Sequence, residues 1–100
     1  GIAEKSRETD GAVVVCKDRD EAAEVANMVA PEHLEVCTRN ARGLAAKLYN
    51  AGALFVGNWS PEPLGDYFAG PSHVLPTSGS ARFSSVLSVD TFMKKTSYIE

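Results

Sequence analysis

Ala53-Leu54-Phe55-Val56, set between Gly52 and Gly57-Asn58, is an apolar run of strand length bounded by turn residues. Upstream, Leu34 to Cys37 alternates and is short enough for another strand. Ala12 to Cys16, valine-rich after Asp10-Gly11, suits a strand buried on both faces. Helical patterns separate the three. Ala22, Val25, Ala26 and Val29 follow the i, i+3, i+4, i+7 spacing, with Asp18 and Glu21 as a capping box before them and Ala30-Pro31 as the stop. Ala41, Leu44, Ala45 and Leu48 mark a second amphipathic helix, ended by Gly52. The order strand–helix–strand–helix–strand over residues 12–57, with short connections, predicts an α/β fold with a small parallel sheet and flanking helices.

In parallel sheets ligands gather outside the carboxyl ends of the strands, and residues 58–80 leave the last strand at that edge. Four of the five prolines fall between Pro61 and Pro76, which makes this a shaped loop. Connections of such length in a small domain are functional or disordered, and Trp59, Tyr67 and Phe68 read as buried aromatics that argue for function. Residues 81–100 form a mixed C-terminal segment in which Asp90 is expected to cap a short helix through Lys95. One hundred residues suit a single domain, 1–100. The start at Gly1, within a charged helix-like run from Ile2 to Thr9, suggests a piece of a longer chain.

A net charge of -3, a pI near 5.3 and the absence of a basic cluster argue against nucleic acid as a partner. No run is long and apolar enough for a membrane span, and none reads as a signal peptide. Cys16 and Cys37 lie outside any CxxC or CxxH pattern and read as buried reduced thiols, which favours the cytoplasm.

Both histidines lie beside or near acids. Glu32-His33 stands between a helix end and a strand start, where a carboxylate can hold water or an alcohol while the imidazole takes its proton. Solvated turn residues are the plainer reading of that pair. Asp66 and His73 lie seven apart in the loop, and with Glu32 and His33 they make a nominal set of four zinc-competent side chains. The spacing matches no compact zinc signature, so a capped turn and a backbone-bonded histidine remain the alternative. Two further classes stay open: a zinc hydrolase using Glu32-activated water, with His33, Asp66 and His73 as ligands, and a non-catalytic module holding a small ligand in the glycine-proline loop. No GxGxxG follows the first strand and no GxSxG surrounds the serines.

Several motifs in register narrow the choice. Ala30-Pro31-Glu32-His33-Leu34-Glu35, Ala51-Gly52-Ala53-Leu54-Phe55-Val56-Gly57, Ser60-Pro61-Glu62, Gly65-Asp66-Tyr67, Ala69-Gly70-Pro71-Ser72-His73-Val74-Leu75-Pro76-Thr77 and Ala81-Arg82-Phe83-Ser84-Ser85 together resemble the histidinol dehydrogenase family over essentially the whole chain. The resemblance implies an incomplete Rossmann-like domain of a homodimeric, NAD-dependent, zinc-containing enzyme that oxidises L-histidinol through the aldehyde to L-histidine. It implies His33 as general base, Glu32 as the acid that activates water, Asp66 as zinc ligand and His73 as a substrate-binding residue, with Glu32, His33 and Asp66 also facing substrate. Of the nominal four, only Asp66 is then expected on the metal. The family's other ligands, a glutamine and histidine from an earlier segment and a histidine from the tail of the second subunit, have no counterpart here. Nor does most of the NAD site, so these residues alone are expected to be inactive.

Overall fold

Helix α1, Ile2–Asp10, opens the chain and buries no side chain. It belongs to a computed structural model that describes residues 1–100. Helix α2, Arg19–Val29, begins where Asp18 accepts from the backbone N–H groups of Asp20 and Glu21 at 3.0 and 2.9 Å. These are two of the four donors a helix start leaves unpaired. Glu21 reaches back one residue further than a capping box requires, accepting from the Lys17 N–H at 2.6 Å. The helix stops at Ala30, held in the left-handed region at φ 50°. Pro31 disfavours helical backbone at the preceding residue, and the small, fully buried Ala30 takes the strained turn.

Strand β1, His33–Val36, helix α3, Ala41–Ala45, and strand β2, Ala53–Val56, form a parallel βαβ unit in which His33 pairs with Ala53 and Val36 with Val56. Pro31 O and Glu32 O accept from Gly52 and Ala53 N–H at 3.0 and 2.8 Å, extending the ladder beyond the amino end of β1. A Cβ on Gly52 would stand 2.6 Å from Glu32 O, so the ladder requires glycine there. Alternation along the strands puts His33, Glu35, Ala53 and Phe55 on one face and Leu34, Val36, Leu54 and Val56 on the other.

The turn after α3 is tied to α2 by Asn27. Its amide donates to Lys47 O at 2.8 Å and accepts from Tyr49 and Asn50 N–H at 2.9 and 3.2 Å. The Asn50 side chain returns a bond to Asn27 O at 3.0 Å. Asn27 is buried because every polar atom it takes inside is matched. This explains two departures from the sequence reading. The buried face of α2 runs through Ala23 and Asn27, while Val29 is exposed. And α3 closes at Ala45 rather than Leu48, with Lys47 and Leu48 in tight i−3 bonds. On the surface, Lys47 also pairs with Asp20, and its hydrogen bond and charge hold the Asp20 carboxyl below the usual carboxylate range.

Ala12 to Cys16 is not a strand. It pairs with neither strand, the sheet holding only β1 and β2, and Val13 and Val15 are 94% and 92% exposed. Residues 58–80 are not wholly loop either. They contain helix α4, Glu62–Tyr67, which starts after Pro61 and carries Pro63 in its first turn, where a missing N–H costs nothing. Trp59, Tyr67 and Phe68 are 93%, 86% and 86% exposed, so the aromatics expected inside are outside. The C-terminal segment holds two short 3₁₀ turns, Ser80–Arg82 and Val89–Phe92. Ser88 rather than Asp90 stands at the start of the second, which ends before Lys95. Both cysteines are free thiols, Cys16 partly covered and Cys37 exposed instead of buried. No helix is long and apolar enough to cross a membrane.

The buried apolar side chains, Ala23, Ala30, Val36, Phe55 and Ala81, are few and mostly small. The radius of gyration is 16.3 Å, against about 13 Å for a compact chain of this length. The fold is therefore an α/β core with uncovered apolar arms, and the sheet face bearing His33 and Phe55 is where α4 returns.

Candidate active site

His33 opens β1 on the face that Phe55 shares, and its ring stacks on Phe55 with centroids 6.1 Å apart and planes at 24°. Helix α4 lies over this face because Gly65 has no side chain. A Cβ there would meet Phe55 at 2.7 Å. The close approach brings the first turn of α4 to the imidazole, and His33 Nε2 stands 3.6 Å from Glu62 Oε1. Nε2 is shielded from water and has no hydrogen-bond partner. Glu35, two residues along β1 on the same face, accepts from the Glu62 N–H at 3.3 Å and so fixes the start of α4.

Asp66 follows Glu62 by one helical turn and projects from the same side of α4. One donor atom from each of His33, Glu62 and Asp66 falls within 4.8 Å of the others. The Asp66 carboxylate, which hydrogen-bonds to Glu62, pushes the Glu62 carboxyl above the usual range. Desolvation and the charges of Asp66 and Glu35 push the same way, against the smaller opposing effect of His33. An imidazole and two carboxylates at this separation can exchange a proton or share a cation. Beside them runs a cleft of about 510 Å³ lined by Ala53, Phe55, Leu64, Leu75 and Ser72, with Asp66 at its wall.

Of the residues singled out from sequence, His33 and Asp66 are therefore together. Glu32 precedes the strand, half-covered, with its backbone in the ladder, and is outside the cluster. His73 is exposed and is outside it as well. The site lies on a sheet face at the amino end of β1, not beyond the carboxyl ends, because α4 folds back. Glu62 and Glu35 were missed as site residues. The four-residue spacing of Glu62 and Asp66 was the available signal, hidden while the segment read as loop.

A family model described as histidinol dehydrogenase matches residues 1–100. The chain belongs to the histidinol dehydrogenase family. Among curated members, the histidinol dehydrogenase of Heliobacterium mobile is 62% identical over 98 residues, which are 98% of this chain and 23% of that protein. That of Nitratidesulfovibrio vulgaris is 64% identical over 98 residues, 98% of this chain and 22% of that protein. The crystal structure of histidinol dehydrogenase from Elizabethkingia anophelis superposes with a TM-score of 0.76 at 40% identity, over 82% of this chain and 19% of that one. The chain thus spans less than a quarter of the length of the histidinol dehydrogenases it matches.

Glu62 has a measurable consequence for stability in the metal-free chain. Its folded pKa lies above the ordinary 4.5, so the folded state holds the proton more tightly than the unfolded one. The contribution of Glu62 to stability is then fully present below 4.5 and is lost as pH rises through the raised value. Glu62→Gln removes that loss. Thermal melts should show variant and parent alike at acidic pH and the variant modestly more stable at neutral pH, the gain being small because solvent screens the group. A variant equally or less stable at neutral pH would contradict the charge crowding.

Proposed function

We propose that these residues form one wall of the active site of a longer histidinol dehydrogenase that oxidises L-histidinol through L-histidinaldehyde to L-histidine with NAD, in the cytoplasm. The observation that supports it best is the convergence of His33 and Asp66, from β1 and α4, on one sheet face beside a cleft. Family membership supports the same chemistry.

His33 acts as the base. Its imidazole takes the alcohol proton in the first oxidation and a proton of the hydrated aldehyde in the second. Glu32, adjacent in the chain, activates the water that hydrates the aldehyde, and His73 binds substrate. The nitrogen and oxygen donors of the cluster suit zinc, and Asp66 is the residue that would hold it. When bound, zinc supplies a Lewis-acid anchor for the substrate's nitrogens and nicotinamide supplies the hydride acceptor. No GxGxxG follows a strand in this chain, and most of the NAD site belongs to other parts of the enzyme. The remaining ligands come from outside these residues, one of them from the second subunit of a homodimer. The large exposed apolar area fits a chain that works within a larger body.

A hydrolase using His33, Asp66 and His73 as ligands is disfavoured because His73 stands away from the other two. The test is NADH formation from L-histidinol by the full-length protein containing this chain. Two NADH per histidinol are expected, and none from the hundred residues alone. Substrate binding without NAD reduction would overturn the reading in favour of a binding module.

A further inference from the structure

We infer that Glu62 is a positioning residue for His33, holding the imidazole through Nε2 and balancing its charge once it has taken a proton. The inference rests on the reading of His33 as the base. His33 Nε2 is closed to solvent and has no hydrogen-bond partner, and an imidazole nitrogen left so is costly unless something completes it. The group facing it is Glu62 Oε1, at 3.6 Å, just beyond hydrogen-bond reach. Both side chains are about one-third exposed, so a small inward movement closes the gap without a change of fold.

The surroundings are arranged to aim Glu62. Its backbone N–H is tied to Glu35 on the strand that carries His33, so both residues are referenced to β1. Gly65 lets the helix sit close enough, and Phe55 stacks under the ring and limits its tilt. Nε2 is thereby directed at a carboxylate, and the other ring nitrogen is left for the substrate's proton. A carboxylate on one nitrogen sets which tautomer is present and stabilises the imidazolium that forms when the other accepts a proton. Asp66 does not duplicate this role, since it is the residue reserved for the metal.

The test uses the full-length enzyme containing this chain, with Glu62→Gln, Glu62→Asp, His33→Asn and the double variant Glu62→Gln/His33→Asn. Gln keeps the shape of Glu62 and loses its charge. Glu62→Gln should lower kcat for histidinol about 10–100-fold, the scale at which partners of a functional histidine act. KM and zinc content should stay near those of the parent. Glu62→Asp should recover part of the loss. In the His33→Asn background the Gln substitution should add nothing, because its only route to the chemistry is through that ring. An unchanged kcat in Glu62→Gln, a multiplicative loss in the double variant, or loss of zinc along with kcat would each overturn the inference. If His33→Asn itself turns over normally, it is the assignment of the base that fails, and the two failures are told apart by that single variant.

Discussion

His33→Asn in the full-length enzyme should lower kcat for histidinol oxidation by about 10²–10⁴-fold, the range general acid–base groups supply, with KM changed by only a few-fold. Asparagine is polar and smaller than the ring, so it neither buries a charge nor crowds Phe55. What it lacks is a nitrogen that can accept a proton. The loss should appear in both oxidation steps, because both remove a proton from oxygen as hydride leaves. Supplying histidinaldehyde in place of histidinol separates the steps: a base used in both leaves the aldehyde reaction impaired as well. Steady-state kinetics with each substrate makes the measurement, alongside a melting temperature to show that the fold is kept. Turnover within twofold of the parent would remove His33 from the chemistry. Loss confined to the alcohol step would leave the hydrated aldehyde to another base.

The boundary at Glu32-His33 was legible in sequence because strong local signals flank it, whereas the role of His33 as base came only from the family resemblance. Pro31 breaks α2, and the alternating run after it can only be a strand. Asp18 likewise announces the start of α2 by a side chain that bonds within three residues. Such features are written in neighbouring positions. The failures share the opposite property. Ala12 to Cys16 has strand composition, but a strand exists only with a partner, and partnership is decided at long range. Asn27 reads as a polar residue for the surface. It is inside because three backbone groups from the turn after α3 meet its amide, which no local pattern shows.

Helix α4 is the instructive case. Prolines at 61 and 63 punctuate loops, yet both also fit a helix start, and in a glycine-rich stretch the first meaning looked stronger. Losing the helix lost its consequence: Glu62 and Asp66 share a side only if the chain between them turns as a helix. Gly65 carried a second hidden meaning. A Cβ at this position would run into Phe55, so the glycine is what lets α4 lie on the sheet. Family resemblance located Asp66 without this geometry, but it did not explain why Glu62 stands beside it.

Asp66→Asn should separate metal binding from folding. In the full-length enzyme it should reduce bound zinc to a small fraction of the parent's. Losing even a residue behind a ligand weakens metal binding about 10–100-fold, and removing a charged ligand itself costs more. Turnover should fall with the zinc and return only partly at high added zinc. The fold should not suffer. Asp66 is the main reason the Glu62 carboxyl is pushed up, so neutralising it relieves crowding between carboxylates on one helical turn. The metal-free variant should therefore melt at or above the temperature of the metal-free parent at neutral pH, with the difference closing toward pH 4.5 as Glu62 takes up its proton. A residue retained at the cost of local repulsion is expected where function, not stability, selects it. Zinc content by atomic absorption and melting by calorimetry, measured on one preparation, decide the point. Zinc lost with the melting temperature held assigns Asp66 to the metal. Zinc retained, or a clear drop in the metal-free melting temperature, would make Asp66 a structural residue and move the metal elsewhere.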